Sequence, residues 1–142
     1  MRSVNQILKA KGTGVHSVGP DEPVMAALRT MADKRVGALA VMRGTTLVGI
    51  VSERDYARKI ALLGRSSSDT PVAQIMSSPV VTVTGDRTVS ECMALMSERH
   101  IRHLPVVEGD RVVGMLSIGD CVKAVIDEQR HQIEDLERFI RS

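Results

Sequence analysis

The sequence predicts an α/β (α+β) fold made of two pseudo-symmetric βαββα repeats packed as one module. Three observations carry that expectation. The segment from Val15 to Ile60, moved forward by 65 positions, lands without a gap on Val80 to Val125, and about a dozen of the roughly 46 aligned positions are identical. Each copy holds a helix-period apolar face followed by two short apolar runs parted by a glycine. The length of 142 residues suits one domain with a substantial core. The identities include Val18/Val83, Asp21/Asp86, Val24/Val89, Met31/Met96, Leu39/Leu104, Val41/Val106, Gly44/Gly109, Val48/Val113, Gly49/Gly114, Ser52/Ser117 and Asp55/Asp120. A period this long marks two copies of one supersecondary unit, which complete a core by packing on each other.

In the first copy Val15 to Val18 reads as a short strand. Asp21 is the expected N-cap of the next helix, and Pro23 suits its first turn. Val24, Ala27, Leu28 and Met31 fall at the spacing of one buried helix face. Ala38 to Met42 is an apolar run expected as a buried strand, Gly44 a tight connection, and Leu47 to Val51 the returning strand. A second helix is expected from Ser52 to about Leu63. The second copy follows suit. Val80 to Val83 is a strand, Asp86 an N-cap, and Val89, Cys92, Met93 and Met96 a helix face. Leu104 to Val107, Gly109 and Val112 to Leu116 form a hairpin, and the last helix begins near Ser117. Upstream, Val4-Asn5-Gln6-Ile7-Leu8 matches Val72-Ala73-Gln74-Ile75-Met76 at an offset of 68, so the first copy carries three extra residues within Lys9 to Gly14. The expected organisation is a first repeat with its N-terminal turn over 1–63, a linker over 64–71, a second repeat over 72–126 and a helical extension over 127–142. In that extension Ile126, Gln129, Ile133, Leu136 and Ile140 form a two-heptad seam that calls for an apolar partner, with a second subunit favoured.

Composition narrows the function classes. A net charge of +2 is too mild to argue for nucleic acid, and Tyr56 and Phe139 are the only aromatics, which counts against stacking on single strands. Cys92 and Cys121 read as buried thiols in a reducing cytosol. Met1 to Lys11 lacks the apolar stretch of a signal peptide, and no apolar run approaches a membrane span, so a cytoplasmic protein is expected. His100 and His103 are three apart without a third ligand, and His16 and His131 read as surface residues; no metal site is expected. No nucleophile–base pairing or acid–base carboxylate pair stands out, so no enzyme is expected. Lys9 and Lys11 are expected in a solvated loop, with a phosphate contact as the alternative.

The chemistry sits where a strand runs into a helix. Val48-Gly49-Ile50-Val51-Ser52-Glu53-Arg54-Asp55 returns as Val113-Gly114-Met115-Leu116-Ser117-Ile118-Gly119-Asp120. Ser with an acidic residue three positions on approximates a capping box, which by itself explains the pattern. The same geometry also suits a ligand: helix N–H groups favour anions, and a carboxylate can accept two hydrogen bonds from a vicinal diol. Phosphate plus ribose describes a nucleotide.

The repeat, its βαββα order, its spacing and its Gly-x-x-Ser-x-x-Asp endings resemble a tandem pair of cystathionine-β-synthase (CBS) domains, the Bateman module, in the form of a stand-alone bacterial-type protein. The resemblance covers nearly the whole chain. It implies a regulatory module that binds AMP, ADP, ATP or NAD in clefts between the repeats and passes energy or redox state to an unidentified effector protein. It also implies a homodimer. Within it, Asp55 and Asp120 would hold ribose hydroxyls, and Ser52 and Ser117 would contact ribose or phosphate. Arg102 and His103 match the stretch whose basic residues reach phosphates, whereas the equivalent Gly37 and Ala38 leave room for a base against the backbone. Met76, Pro79 and Thr82 match a segment that borders the ligand. Because Arg54 precedes Asp55 but Gly119 precedes Asp120, two unequal sites are expected, the one with Asp55, Arg54 and Arg102 preferring the phosphorylated ligand. The alternative is a structural adaptor that holds no ligand.

Overall fold

Helix α1 (Val4–Lys11) opens on a complete capping box, in which Ser3 accepts from the Gln6 N–H and the Gln6 side chain accepts from the Ser3 N–H. The first repeat then runs β1 (Ser17–Val18), α2 (Val24–Lys34), β2 (Ala38–Arg43), β3 (Thr46–Ser52) and α3 (Glu53–Tyr56), which passes into a π-helical turn over Ala57–Ala61. A 3-10 turn (Val72–Gln74) leads into β4 (Val83–Thr84), α4 (Val89–Arg99), β5 (His103–Glu108), β6 (Arg111–Ser117) and α5 (Ile118–Arg141). The computed structural model describes residues 2–12 and 14–142. Met1, and Thr13 within the expected three-residue insertion, lie outside the described residues.

Two three-stranded sheets result, β1-β2-β3 and β4-β5-β6. The crossover through α2 makes β1 parallel to β2, with Val18 opposite Val41; β4 and β5 repeat this with Val83 opposite Val106. β2 and β3 form an antiparallel hairpin, and its turn uses Gly44 at φ 62°, as Gly109 does at φ 61° in the second copy. The fold class is therefore the mixed α+β arrangement read from the sequence.

Three local expectations are corrected. Asp21 and Asp86 do not cap the helices that follow them. Pro23 holds the cap position of α2 without a side-chain bond, and Thr88 caps α4 in a box with Glu91. The aspartates stand two residues too early to reach the first turn; Asp86 accepts from the Thr84 hydroxyl, and Asp21 lies 3.5 Å from Arg43. The first strand of each copy is two residues long, because only Ser17–Val18 and Val83–Thr84 reach a partner strand. The helix expected to run from Ser52 to Leu63 keeps α-geometry only to Tyr56.

The contacts also regroup the segments. One unit comprises residues 2–12, 82–108 and 114–142; the other comprises residues 14–81 and 109–113. The N-terminal helix thus packs with the second repeat, and the 3-10 turn with the first, rather than each with the repeat it precedes. The backbone bonds show that this exchange is reciprocal. Val4 N–H donates to Arg87 O, Asn5 N–H to Gly85 O and Val89 N–H to Arg2 O, each at 2.9 Å. At the equivalent positions of the other unit, Val72 N–H donates to Glu22 O at 2.8 Å, Ala73 N–H to Pro20 O at 2.9 Å and Val24 N–H to Thr70 O at 2.8 Å.

Each exchanged segment seats one side chain on a glycine. A Cβ built on Gly114 would lie 2.7 Å from Leu8 Cδ2, and one on Gly49 would lie 3.2 Å from Met76 Cβ and closer still to its Cγ. Leu8 and Met76 are equivalent, as are Gly114 and Gly49. Around these seats the first unit buries Val4, Ile7, Val89, Cys92, Met96, Leu104, Val106, Leu116, Cys121 and Ala124. The second buries Val24, Ala27, Met31, Leu39, Val41, Val51, Ile60, Val72 and Ile75. Burial, with Cys92 and Asp120 nearby, pushes the Cys121 thiol up to about 11, so it sits in the core as an uncharged apolar group. Gly49→Ala is expected to destabilise the fold by about 1–3 kcal/mol in urea unfolding through overpacking against Met76, and a second change, Met76→Ala, should recover part of the loss.

Candidate functional site

Both Ser-x-x-Asp corners arise because β3 and β6 end on an extended serine whose carbonyl begins a helix. Ser52 has φ −129° and ψ 166°, and Ser117 has φ −101° and ψ 161°. Asp55 Oδ2 accepts from the Ser52 N–H at 2.9 Å and the Ser52 hydroxyl at 3.1 Å, while Ser52 Oγ accepts from the Asp55 N–H at 3.2 Å. Asp120 Oδ2 accepts from the Ser117 N–H at 2.9 Å, and Ser117 Oγ accepts from the Asp120 N–H at 3.1 Å. Both corners are therefore complete capping boxes. The box fixes each carboxylate in one orientation without consuming all of its acceptor capacity.

Backbone from the facing strand secures the same turns. Glu53 N–H donates to Gly37 O at 3.0 Å, and Ile118 N–H donates to Arg102 O at 2.8 Å. Ala38 is buried and stands opposite Ser52 in the β2–β3 register. Gly37, Ala38, Ser52, Arg54 and Asp55 are thus gathered at one corner, with half-buried Met76 seated nearby on Gly49. Arg102, half-buried His103 at the start of β5, Ser117 and Asp120 are gathered at the other. Pro79 is exposed in the unit of Asp55, beyond the cis Ser78–Pro79 bond. Thr82 precedes β4 in the unit of Asp120.

Each carboxylate carries an ammonium. Lys59 Nζ lies 3.3 Å from Asp55 Oδ1 and donates to Ile75 O at 2.8 Å. Lys11 Nζ lies 2.8 Å from Asp120 Oδ2 and donates to Met115 O at 2.8 Å. Lys11 therefore ends a helix and holds an ion pair rather than lying in the solvated loop that the sequence suggested. Neither lysine stands out by motif. Asp55 and Lys59 have the i, i+4 spacing of a helical ion pair, a signal that was available. Lys11 and Asp120 are 109 positions apart, and nothing local pairs them.

Burial works to raise the Asp120 carboxyl, but hydrogen bonds from Lys11 and Ser117 outweigh it and hold the group below its ordinary value. A depressed carboxyl contributes stability that is present above the unfolded-state value of about 3.9 and is lost as pH falls through the lower folded value. Asp120→Asn should therefore lower stability by about 1 kcal/mol at pH 7, and the difference from wild type should vanish near pH 2. Urea unfolding at the two pH values checks this.

Among the described residues, no three His, Cys, Asp or Glu side chains gather as a metal site, and no helix is long and apolar enough to cross a membrane.

The geometry can be set beside known proteins. The CBS domain family model matches residues 12–62 and again 72–127. The chain is 37% identical to the mitochondrial CBS domain-containing protein CBSX3 of Arabidopsis thaliana, over 98% of this chain and 72% of that protein. It is 46% identical to a CBS-domain protein of Burkholderia ambifaria MC40-6, provisionally assigned to signal transduction, whose solved structure superposes with a TM-score of 0.87 over 90% of this chain and 96% of that one. The CBS domain pair of protein MJ0100, solved in complex with 5'-methylthioadenosine and S-adenosyl-L-methionine, shares the fold at a TM-score of 0.79 and 23% identity, over 90% of this chain and 98% of that one. Two family matches in the register of the repeat, each ending on a hairpin that delivers Ser and Asp to a helix, make this chain a member of the CBS domain family with two tandem copies.

Proposed function

We propose that this protein is a regulatory, non-catalytic module that binds adenine nucleotides, of the AMP, ADP, ATP or NAD type, at its Ser-x-x-Asp corners and signals their level to an effector protein. The observation that carries the reading is the recurrence, 65 residues apart, of a carboxylate fixed by its serine and flanked by an ammonium. A fixed carboxylate suits a ribose diol, and a nearby cation suits a phosphate. In this reading Asp55 and Asp120 take the ribose hydroxyls, Ser52 and Ser117 support them, and Arg54, Arg102 and His103 read phosphate. Gly37, Ala38 and Met76 border the base, and Pro79 and Thr82 border the sugar-phosphate. The fold is able to hold such ligands, as the MJ0100 pair holds two adenosine compounds. The two buried thiols fit a reducing compartment such as the cytoplasm.

The capping boxes themselves favour a second reading, a structural adaptor in which the serines and aspartates only start helices. Thermal unfolding with AMP, ADP, ATP, NAD and GTP separates the two. A ligand at about 100 times its dissociation constant stabilises by about 2.7 kcal/mol, a midpoint rise of roughly 5–15 °C here. An adenylate-specific rise that Asp55→Asn or Asp120→Asn abolishes supports binding. No rise with any nucleotide leaves the adaptor.

We further propose that α5 pairs with α5 of a second copy. Its outer turns expose Ile133 (55%), Leu136 (59%) and Ile140 (75%). In an antiparallel pairing Ile133 meets Leu136 of the second copy, and Arg130 meets Glu137 of the second copy on both sides. A parallel pairing sets Gln132 against Glu137 and gains no opposite charges. Light scattering should give a dimer mass for wild type and a monomer for Leu136→Asp.

A further inference from the structure

The two corners are filled alike from unrelated places in the chain. The position equivalent to Lys59 in the second copy is Ala124, which is buried and brings no charge. Lys11 lies in the stretch that holds the first copy's three extra residues, so the second copy has no matching lysine. The chain therefore supplies an ammonium to Asp55 from the next turn of its own helix, and to Asp120 from the end of α1. A capping box needs no lysine, since the serine and aspartate already satisfy each other. Each lysine also has the freedom to leave. Its side chain is 40% exposed, whereas the carboxylates of Asp55 and Asp120 are only 13% and 22% exposed. The ammonium thus sits on the solvent side of a carboxylate that is itself held still. Its four-carbon stem has the reach to swing, and two of its three donors find partners among the described residues.

We propose that Lys59 and Lys11 select ligands by charge: each neutralises its carboxylate while the corner is empty, and turns onto the phosphate of an anionic adenosine ligand when ribose hydroxyls take its place. The proposal rests on the adenosine reading above. An uncharged nucleoside must displace the ammonium and offers it nothing in return. A cationic adenosine compound adds repulsion to that loss. A nucleoside phosphate alone replaces one charge partner with another. The corners therefore rank AMP over adenosine, and adenosine over S-adenosylmethionine.

Calorimetric titration of wild type, Lys59→Met and Lys11→Met with AMP, adenosine and S-adenosylmethionine tests this. Methionine keeps an apolar stem of similar length and removes the charge. At the altered corner, AMP should weaken about tenfold or more, while adenosine and S-adenosylmethionine hold or tighten. Lys59→Arg should keep the wild-type preference. Equal changes for AMP and adenosine would overturn the proposal and leave the lysines as structural ties. Wild type that binds neither AMP nor adenosine overturns the adenosine reading itself, and is recognised because Asp55→Asn and Asp120→Asn then change no titration. If the methionine variants do not fold, the salt dependence of wild type decides. AMP affinity should fall between 50 mM and 500 mM salt while adenosine affinity holds or rises; parallel behaviour overturns the proposal.

Discussion

The seating of an exchanged segment on a strand glycine is the constraint on which the rest of the structure depends. Leu8 over Gly114 and Met76 over Gly49 bring the lead-in segment against the returning strand of the hairpin, at a distance that no Cβ would tolerate. Six matched backbone bonds then fix that turn to the helix start and the loop before it. Because these donors and acceptors satisfy each other, and Val4, Val24, Val72 and Val89 among them are buried, slipping the segment by one residue would break all six bonds at once. Each corner inherits its rigidity from this arrangement. The glycine lies three residues before the serine on the same strand, so what fixes the glycine also fixes the serine and the carboxylate it holds.

A capping box and a ribose-binding carboxylate have the same requirements up to a point. Both need an aspartate on the third residue of a helix, with its oxygen aimed back at the strand. The box supplies that aim from local bonds, so it is in place whether or not a ligand is present. The pre-set orientation spares a ligand the entropy of ordering the side chain. The adaptor and binding readings therefore differ less in the cap than in what stands in front of it, which is an ammonium at both corners.

The two corners are nevertheless not copies. One has Arg54 beside its aspartate and draws Lys59 from its own helix, whose α-geometry passes into a π-helical turn at Ala57. The other has Gly119 beside its aspartate, draws Lys11 from the far end of the sequence, and continues as a helix of 24 residues. The extra length carries the apolar stripe that the rest of the chain leaves uncovered.

Much of this was legible in the amino-acid sequence. The 65-residue period determined that there are two units of one kind. Apolar periodicity determined their helices and hairpins, and Gly44 and Gly109 their turns. The serine and aspartate of each corner were readable because a cap is local: donor and acceptor are three residues apart. What lies beyond local reach was decided only by the tertiary structure. Asp21 and Asp86 looked like caps because the sequence does not show where a chain finally bends, and Thr88 was nearer the turn. The exchange of lead-in segments between the repeats left no trace in the alignment, since both segments match and either assignment aligns equally well. Lys11 met Asp120 through that exchange alone. The pairing of two charges 109 residues apart is a property of how the chain returns on itself, and no pattern along the chain encodes it.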